Sequence, residues 1–326
     1  MRLKKFARPK KGRGLGYMGA KRLISWEIGE EIEFQVPDFD VFVDAFGGGG
    51  SMSCEFLMRG KKVMYNDLDK GVHDVFKYAM NTEFEPEFYN ELLISRAEFK
   101  KVLNKKHKTV IDNLKLLINS FGNRSEAYLY SKEFGELKFL LAKEILKDDA
   151  FGFRNYRKNS IFISKINNLE GRRSVEKNRL QQLEQLKQLE QLQRLQQLLK
   201  LNQLRNRREK DSIVFENLDY KSFITQQRNK KGVLYCDIPY KNTKDYSVGK
   251  FDHKKFFNFI SEEAKYFKAV FVSSYQISDD GFKLVKEFKK KSTLASGTSL
   301  SGDNEKLYTL KDFELARQMD IFDYLS

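Results

Sequence analysis

Short apolar runs rich in β-branched and aromatic residues recur along the chain, and each one ends in polar residues or glycine. Four of them lie at residues 39–46, 61–69, 232–240 and 268–275. This length, composition and ending are typical of strands that are buried on both faces of a parallel sheet. We therefore expect four parallel strands.

Amphipathic stretches with helical spacing separate these runs, at residues 51–60, 71–80 and 251–267. Strands that alternate with helices predict an α/β fold, a doubly wound and mostly parallel sheet. Near the C-terminus, residues 289–296 and 305–310 flank a polar loop. We expect them to form an antiparallel hairpin at one edge of that sheet.

The middle of the chain has a different pattern. Residues 84–150 carry Leu, Phe, Lys and Glu at helical spacing, which predicts helices. A triplet repeat then places leucine at every third position from 183 to 198. On a helix each such step falls about 60° behind a full turn, so the leucines wind around the axis. We assign a helix partly buried on changing sides, while a low-complexity spacer without chemistry stays open and is favoured by composition.

The composition fits a globular protein. The 326 residues are 40% hydrophobic and 13% aromatic, enough for a real core and unlike a disordered chain. Two cysteines exclude a disulfide framework, and with three scattered histidines they leave no expected metal site. No apolar run approaches a membrane span, and the basic N-terminus lacks the apolar core of a secretory signal. We expect a cytoplasmic protein with no membrane contact.

The net charge of +15 is unevenly distributed. Residues 1–22 carry nine basic side chains and no acidic one, and residues 151–210 carry 15 basic against 5 acidic. The rest of the chain is slightly acidic. Localised basic charge is typical of proteins that bind polyanions, most often nucleic acid. A solvated surface with a basic tail is the alternative.

A glycine-rich turn follows the first predicted strand at residues 44–51, with the sequence D-A-F-G-G-G-G-S. Glycines between a strand and a helix allow a ligand to approach the backbone closely, although a plain flexible loop would have the same composition. Asp67 follows the next strand, where nucleotide-binding folds place an acid against ribose hydroxyls. Neither G-x-G-x-x-G nor G-x-x-x-x-G-K-[ST] is present. The pattern favours a nucleoside ligand without a pyrophosphate.

A D-I-P-Y tetrapeptide ends the third predicted strand at residues 237–240. The carboxyl ends of parallel strands are where open α/β sheets bind ligands. An acid and a turn carbonyl can accept both hydrogens of an exocyclic amine, and the tyrosine can stack on the base. An ordinary strand-ending turn explains the same residues equally well.

Taken together and in order, these motifs resemble the Dam-type family of adenine-N6 DNA methyltransferases. The resemblance rests on four segments, Y-M-G-A-K at 17–21, D-A-F-G-G-G-G at 44–50, N-D at 66–67 and D-I-P-Y at 237–240. Further agreement lies at residues 120–123 and 305–308. The resemblance implies a methyltransferase fold with an inserted, mainly helical target-recognition domain. We expect a cofactor-binding part at 1–83, that insertion at 84–210 and a catalytic part at 211–326.

The resemblance also implies the cofactor, S-adenosylmethionine, and the residues that hold it. Tyr17 and Lys21 would contact it, and Asp67 would bind its ribose hydroxyls. The other residues that the resemblance places at the cofactor are Asp44, Phe46, Gly48, Gly50 and Asp237.

The same resemblance implies a site-specific, adenine-specific DNA methyltransferase. Asp237 would polarise the N6 amine of a flipped-out adenine in double-stranded DNA, on which Tyr240 would stack. Ile238 and Pro239 would form the turn that carries the second acceptor, a main-chain carbonyl. We expect a monomer without metal, and restriction–modification, phage and solitary settings stay open.

Two positions depart from the family pattern. Ala45 and Ile238 each stand where the family usually has proline, so both turns are less rigid than usual. A catalytically weakened DNA-binding relative therefore stays open as an alternative. Methylation of cytosine N4 or of RNA is the second alternative within the same chemistry.

Overall fold

The computed structural model describes residues 12–16, 20–121, 127–149, 151–171, 187–209, 211–228, 232–240, 251–289 and 304–316. The chain forms two compact units. The first comprises Met1–Arg13, Lys21–His73 and Arg208–Ser326, and the second comprises Gly14–Ala20 and Asp74–Arg207. The recognition role expected for residues 84–210 stays a prediction.

In the first unit, the described residues form one seven-stranded sheet in the order β3-β2-β1-β4-β5-β7-β6. The strands are β1 Val41–Asp44, β2 Lys62–Asn66, β3 Ile213–Glu216, β4 Val233–Asp237, β5 Ala269–Ser274, β6 Phe282–Phe288 and β7 Glu305–Leu310. The pairs among β1 to β5 are parallel, and β7 pairs antiparallel with both β5 and β6. The expected α/β class with a mostly parallel sheet is confirmed.

The four predicted parallel strands correspond to β1, β2, β4 and β5. Strand β3 was not predicted, because its short run of three apolar residues is mostly half-buried and gives little pattern. The C-terminal hairpin is present, but the prediction of residues 289–296 as its first strand was wrong. That strand is β6, which ends at Phe288, and Lys289 lies beyond it. Residues 290–296 lie outside the described part of the chain.

Helices accompany the strands of the first unit. They are α1 Ser25–Gln35, α2 Ser51–Met58, α10 Tyr220–Gln226 and α11 His253–Glu263. Aspartates begin the last two, because Asp219 accepts hydrogen bonds from the Lys221 and Ser222 amides and Asp252 accepts one from the Lys255 amide. The apolar faces of α10 and α11 pack with β1, β4 and β5 into one buried cluster. This core fixes the strand ends that carry the candidate site.

The second unit is mainly helical. The boundary between the units falls within α3 Lys70–Asn81, and the following helices are α4 Pro86–Leu92, α5 Arg96–Leu103, α6 Val110–Asn119, α7 Lys132–Asp148, α8 Ser160–Gly171 and α9 Glu190–Arg207. A 3-10 helix spans Gly152–Lys158. Ser120 and Tyr128 form an isolated antiparallel bridge after α6.

Helix α9 contains the leucine repeat from residue 190 onward and lies at the centre of the second unit. Six leucines spaced by three residues are between 0% and 7% exposed, Leu189, Leu192, Leu195, Leu198, Leu201 and Leu204. A stripe that winds around the axis can be buried only if neighbours surround the helix. The α9 helix contacts three other elements of this unit, α6, α7 and the 3-10 helix.

Polar side chains of α9 also form hydrogen bonds on different sides of the helix. The Gln196 side chain donates to the Arg154 carbonyl at 3.3 Å, and the Asn202 side chain donates to the Thr82 carbonyl at 2.9 Å. The helix prediction is therefore confirmed for residues 190–207, and the spacer interpretation is wrong there. Residues 180–186 lie outside the described part of the chain.

Truncating a central leucine of this helix is expected to destabilise the protein. Leu195 is fully buried, so Leu195→Ala should lower the free energy of unfolding by about 2–5 kcal/mol through the cavity it leaves. Leu140 on α7 is 48% exposed, so Leu140→Ala should cost about 0.5 kcal/mol or less. Denaturant unfolding of both variants measures the difference. Equal losses would contradict a central position for α9.

Candidate active site

The polar residues singled out in the sequence lie at one edge of the sheet. Asp44 ends β1 and Asp237 ends β4, two neighbouring parallel strands, and Asp67 follows the end of β2. In the sheet, β2 lies beside β1 on the side away from β4, and β5 lies beside β4 on the side away from β1, so the chain winds in opposite directions from these two strands. Such a reversal leaves a crevice outside the carboxyl ends of the strands, where open α/β sheets bind ligands.

The loop after β1 depends on glycine at specific positions. A Cβ atom at residue 47 would lie 2.1 Å from the Tyr65 ring, so a side chain does not fit there. Gly48 and Gly50 have φ angles of 50° and 73°, in the left-handed region that side chains disfavour. A Cβ at residue 48 would meet nothing within 4 Å, so open space lies beside this backbone.

Asp67 holds this loop. Its carboxylate accepts hydrogen bonds from the backbone amides of Gly48 and Asp69, each at 2.8 Å. The Tyr65 hydroxyl donates to the Gly48 carbonyl at 2.8 Å from the neighbouring strand. Burial raises the pKa of Asp67 to about 6, although the two amide bonds act in the opposite direction. The carboxyl group therefore titrates near pH 6 and is mostly ionised at neutral pH.

Asp44 is buried with an incomplete set of hydrogen bonds. Ser53 Oγ donates to Oδ2 at 2.6 Å, and Oδ1 has no hydrogen-bond partner. Burial raises the pKa of Asp44 to about 7, and the nearby Asp237 and Asp67 carboxylates raise it further. A buried carboxylate oxygen without a partner is costly, so this position favours a cationic or hydrogen-donating ligand.

The two residues between Asp44 and the glycines, Ala45 and Phe46, stabilise the fold. The amide of Ala45 donates to the Tyr235 carbonyl at 3.0 Å, a hydrogen bond that proline could not make. Phe46 packs in an aromatic cluster with Tyr220, Phe251 and Phe256, at ring-centroid distances of 5.8, 5.8 and 5.9 Å. The cofactor contact expected for Phe46 stays a prediction.

An ion pair occupies the end of β4. The Lys21 ammonium donates to Oδ1 and Oδ2 of Asp237 at 2.5 and 2.7 Å, and to the Tyr240 hydroxyl oxygen at 2.5 Å. Burial raises the pKa of Asp237 to about 6, Lys21 lowers it and Glu305 raises it. The structure thus brings Lys21, Asp237 and Tyr240 together, although the sequence placed Lys21 only at the cofactor.

Lys21 is charged although it is buried. Burial lowers the pKa of its ammonium, but the Asp237 and Glu305 carboxylates outweigh burial and the net pKa is raised. Its Nζ lies 3.7 Å from Glu305 Oε2, beyond a direct hydrogen bond. One cation therefore faces two carboxylates.

Tyr240 is fixed by its hydroxyl and by its ring. The hydroxyl donates to Glu305 Oε2 at 2.8 Å, and the ring stacks on Tyr275 at a centroid distance of 4.1 Å and 17°. Burial raises the pKa of the hydroxyl, and the Asp237 and Glu305 carboxylates raise it further. The phenol is therefore neutral and donates its proton.

The turn inside the tetrapeptide is held from two sides. Ile238 is 1% exposed and belongs to the core cluster, so the side chain at this departure from the family pattern packs in the core. The Pro239 carbonyl accepts a hydrogen bond from His253 Nε2 at 2.8 Å, at the start of α11. These contacts replace part of the rigidity that a second proline would give.

Sequence reasoning missed four residues of this site. Ser273 and Tyr275 lie at the carboxyl end of β5, where the position after a buried strand is the available signal. Glu305 lies in a segment that supported the resemblance, and His253 was counted only among the three scattered histidines. Tyr17 lies outside the described residues. No cluster of three or more metal-ligating side chains occurs in the described ranges.

One family model matches the chain. Its description is D12 class N6 adenine-specific DNA methyltransferase, and it covers residues 17–301. The four sequence motifs at residues 17–21, 44–50, 66–67 and 237–240 fall within the matched range. No curated protein matches the chain. None of the helices in the described ranges is long and apolar enough to cross a membrane.

Proposed function

The chain belongs to the D12 class of N6 adenine-specific DNA methyltransferases, and we propose that its reaction takes place at Asp237 and Tyr240. The observation that carries this proposal is the cluster at the end of β4, where Lys21 donates hydrogen bonds to both Asp237 and Tyr240. Asp44 lies at the end of the neighbouring strand. The reaction requires an acid, an aromatic ring and a ligand crevice in this arrangement.

Asp237 is proposed to activate the target amine. The N6 lone pair of adenine is delocalised into the ring, so the amine is a weak nucleophile. A carboxylate oxygen of Asp237 and the main-chain carbonyl of Ile238 would accept its two N–H groups and raise the electron density on nitrogen. The Tyr240 ring would stack on a base flipped out of the duplex.

Lys21 keeps this chemistry available at neutral pH. Since its ammonium lowers the pKa of Asp237, the carboxylate is largely ionised above about pH 6. Once the N6 nitrogen forms its new bond it must lose a proton. A carboxylate with a raised pKa can take up that proton at an oxygen atom of Asp237.

S-adenosylmethionine is the proposed methyl donor, and the residues of the β1 edge fit it. The donor would supply an electrophilic methyl group on its sulfonium. The partnerless Oδ1 of Asp44 can accept from the ammonium of its methionine part, and open space lies beside Gly48. Asp67, which follows β2, would accept from ribose hydroxyls. The roles of Tyr17, Phe46 and Gly50 are proposed from the family motifs.

Donor affinity is expected to increase with pH. Asp44 has a pKa of about 7, so below that pH its carboxyl group is protonated and cannot pair with an ammonium. Affinity should rise by up to about tenfold per pH unit between about pH 6 and pH 7. Calorimetric titration of wild type and Asp44→Asn tests this. The variant should bind weakly with a flatter profile, and an equally steep profile would contradict the role of Asp44.

Double-stranded DNA is the proposed partner of the basic regions. Besides the basic tail and residues 151–210, five exposed lysines lie in the last turn of α5 and the following loop, Lys100, Lys101, Lys105, Lys106 and Lys108. Lysines at this density neutralise phosphates without reading sequence. We also propose that residues 84–210 supply the target recognition.

Incubation with tritiated donor, DNA and RNA, followed by nucleoside analysis, tests the function. N6-methyladenine in DNA is the expected product. Label in N4-methylcytosine or in RNA would overturn the assignment of the substrate. DNA binding without transfer would support the weakened relative instead.

A further inference from the structure

Glu305 lies beside the candidate catalytic residues, but neither the sequence motifs nor the proposed reaction assigns it a function. It begins β7, the antiparallel strand that lies between β5 and β6, and it is buried. Ser273 Oγ donates to Oε1 at 2.6 Å, and the Tyr240 hydroxyl donates to Oε2 at 2.8 Å. Lys21 Nζ is 3.7 Å from Oε2. Each carboxylate oxygen of Glu305 therefore accepts a hydrogen bond from a specific side chain.

The contact with Tyr240 fixes the orientation of a ring. The Tyr240 hydroxyl accepts from Lys21 and donates to Glu305, so its rotation is set by a donor and an acceptor. Stacking on Tyr275 constrains the plane of the same ring. Ser273 in turn orients the Glu305 carboxylate. Groups held in this way need no reorganisation when a base arrives.

The charge of Glu305 acts on Lys21 and Asp237. The groups that face Asp237 come from the strands β1, β4 and β7, the turn after β4 and the segment before α1, namely Asp44, Tyr235, Cys236, Glu305, Tyr240 and Lys21. Among them Lys21 is the cation and Glu305 is the second carboxylate facing it. Without Glu305, the ammonium would interact with Asp237 alone and hold both of its oxygens more tightly.

We propose that Glu305 is a positioning residue for methyl transfer. Through the Tyr240 hydroxyl it aligns the ring that receives the base, and through Lys21 it leaves the Asp237 carboxylate able to accept from the target amine. Ser273 acts with it by holding the Glu305 carboxylate. This inference rests on the proposed function.

Kinetics of Glu305→Gln test the role. The variant keeps the shape of the side chain but loses its charge, and kcat should fall about 10- to 100-fold with KM for the donor unchanged. Ser273→Ala should cause a smaller fall in kcat. Ser274→Ala is the matched control, because this neighbouring buried hydroxyl bonds to the Gln276 carbonyl at 3.4 Å and not to Glu305. It should keep wild-type kcat.

The pH profile separates positioning from a merely structural role. Glu305 raises the pKa of Asp237, so in Glu305→Gln the acidic limb of kcat should move to lower pH. Ser273→Ala keeps the charge and should leave that limb in place. Unchanged kcat and an unmoved limb in Glu305→Gln, with wild type active, would overturn the proposal.

Carboxyl NMR titration of Asp237 supplies a readout that needs no turnover. A lower Asp237 pKa in Glu305→Gln than in wild type supports the network, and an equal pKa overturns it. If wild type transferred no methyl group to any nucleic acid, the proposed function would fail. The titration would still decide whether Glu305 acts on Asp237.

Discussion

Asp237→Ala is expected to reduce methyl transfer to DNA by about 100- to 10,000-fold, because it removes the group that activates the amine and accepts its proton. Asp237→Asn should be nearly as inactive. Its amide keeps the shape of the side chain, but it cannot balance the Lys21 ammonium, and its NH₂ group cannot accept from the amine. Single-turnover transfer with saturating donor and DNA measures both losses.

A second aspartate on the same unit provides the control. Asp252 lies at the N-terminus of α11, where it accepts from the Lys255 amide at 3.0 Å. Asp252→Asn keeps an effective capping residue and should retain wild-type transfer. Unfolding measurements on all variants show whether each protein is folded. A folded Asp237→Ala protein with wild-type transfer would remove Asp237 from the mechanism.

Lys21→Met is expected to have the second-largest effect, on stability as well as on activity. It leaves the partly buried Asp237 and the buried Glu305 carboxylates without their cation, and it should cost up to about 3–5 kcal/mol in unfolding free energy at neutral pH. The pKa of Asp237 then rises further. A carboxyl group with a raised folded-state pKa loses stability as pH rises through that pKa. The destabilisation should therefore be smaller at about pH 5 than at about pH 8.

Activity of this variant should depend on pH in the opposite direction. Without Lys21, Asp237 is more protonated at neutral pH, so the rate of methyl transfer by Lys21→Met should be far below that of wild type there. The rate should recover in part as pH rises. Lys286→Met is the control, since Lys286 is half-exposed and pairs with Glu31 at 2.7 Å. It should cost about 1 kcal/mol or less and leave transfer unchanged. Equal stability losses in the two variants would contradict the buried network.

The parallel part of the fold could be predicted because each strand is a local pattern. The runs that became β1, β2, β4 and β5 are apolar and end in polar residues or glycine, so the sequence predicts both the strands and the edge where their ends meet. Strand β6 was misplaced, because a bulge between Leu284 and Lys286 interrupts its alternation. The leucine repeat in α9 was ambiguous, because its burial depends on neighbours that periodicity does not identify.

The candidate site also has a part that the sequence predicts and a part that it does not. Asp44 and Asp237 end strands and Asp67 directly follows one, so sequence reasoning places them at one edge. Lys21 and Asp237 are 216 positions apart, and no local pattern reports such a contact. Glu305 reaches Tyr240 because β7 pairs antiparallel with β5. Networks of this kind depend on strand pairing, which single-sequence patterns do not determine.

Nucleoside analysis of DNA tests the central claim, that the protein methylates adenine N6 and that this reaction depends on Asp237. Duplex DNA is incubated with labelled S-adenosylmethionine and with wild type, Asp237→Ala or Asp252→Asn, and then digested to nucleosides. We predict labelled N6-methyl-2′-deoxyadenosine from wild type and Asp252→Asn, and none above background from folded Asp237→Ala. Label in another nucleoside, or equal label from Asp237→Ala, would contradict the claim.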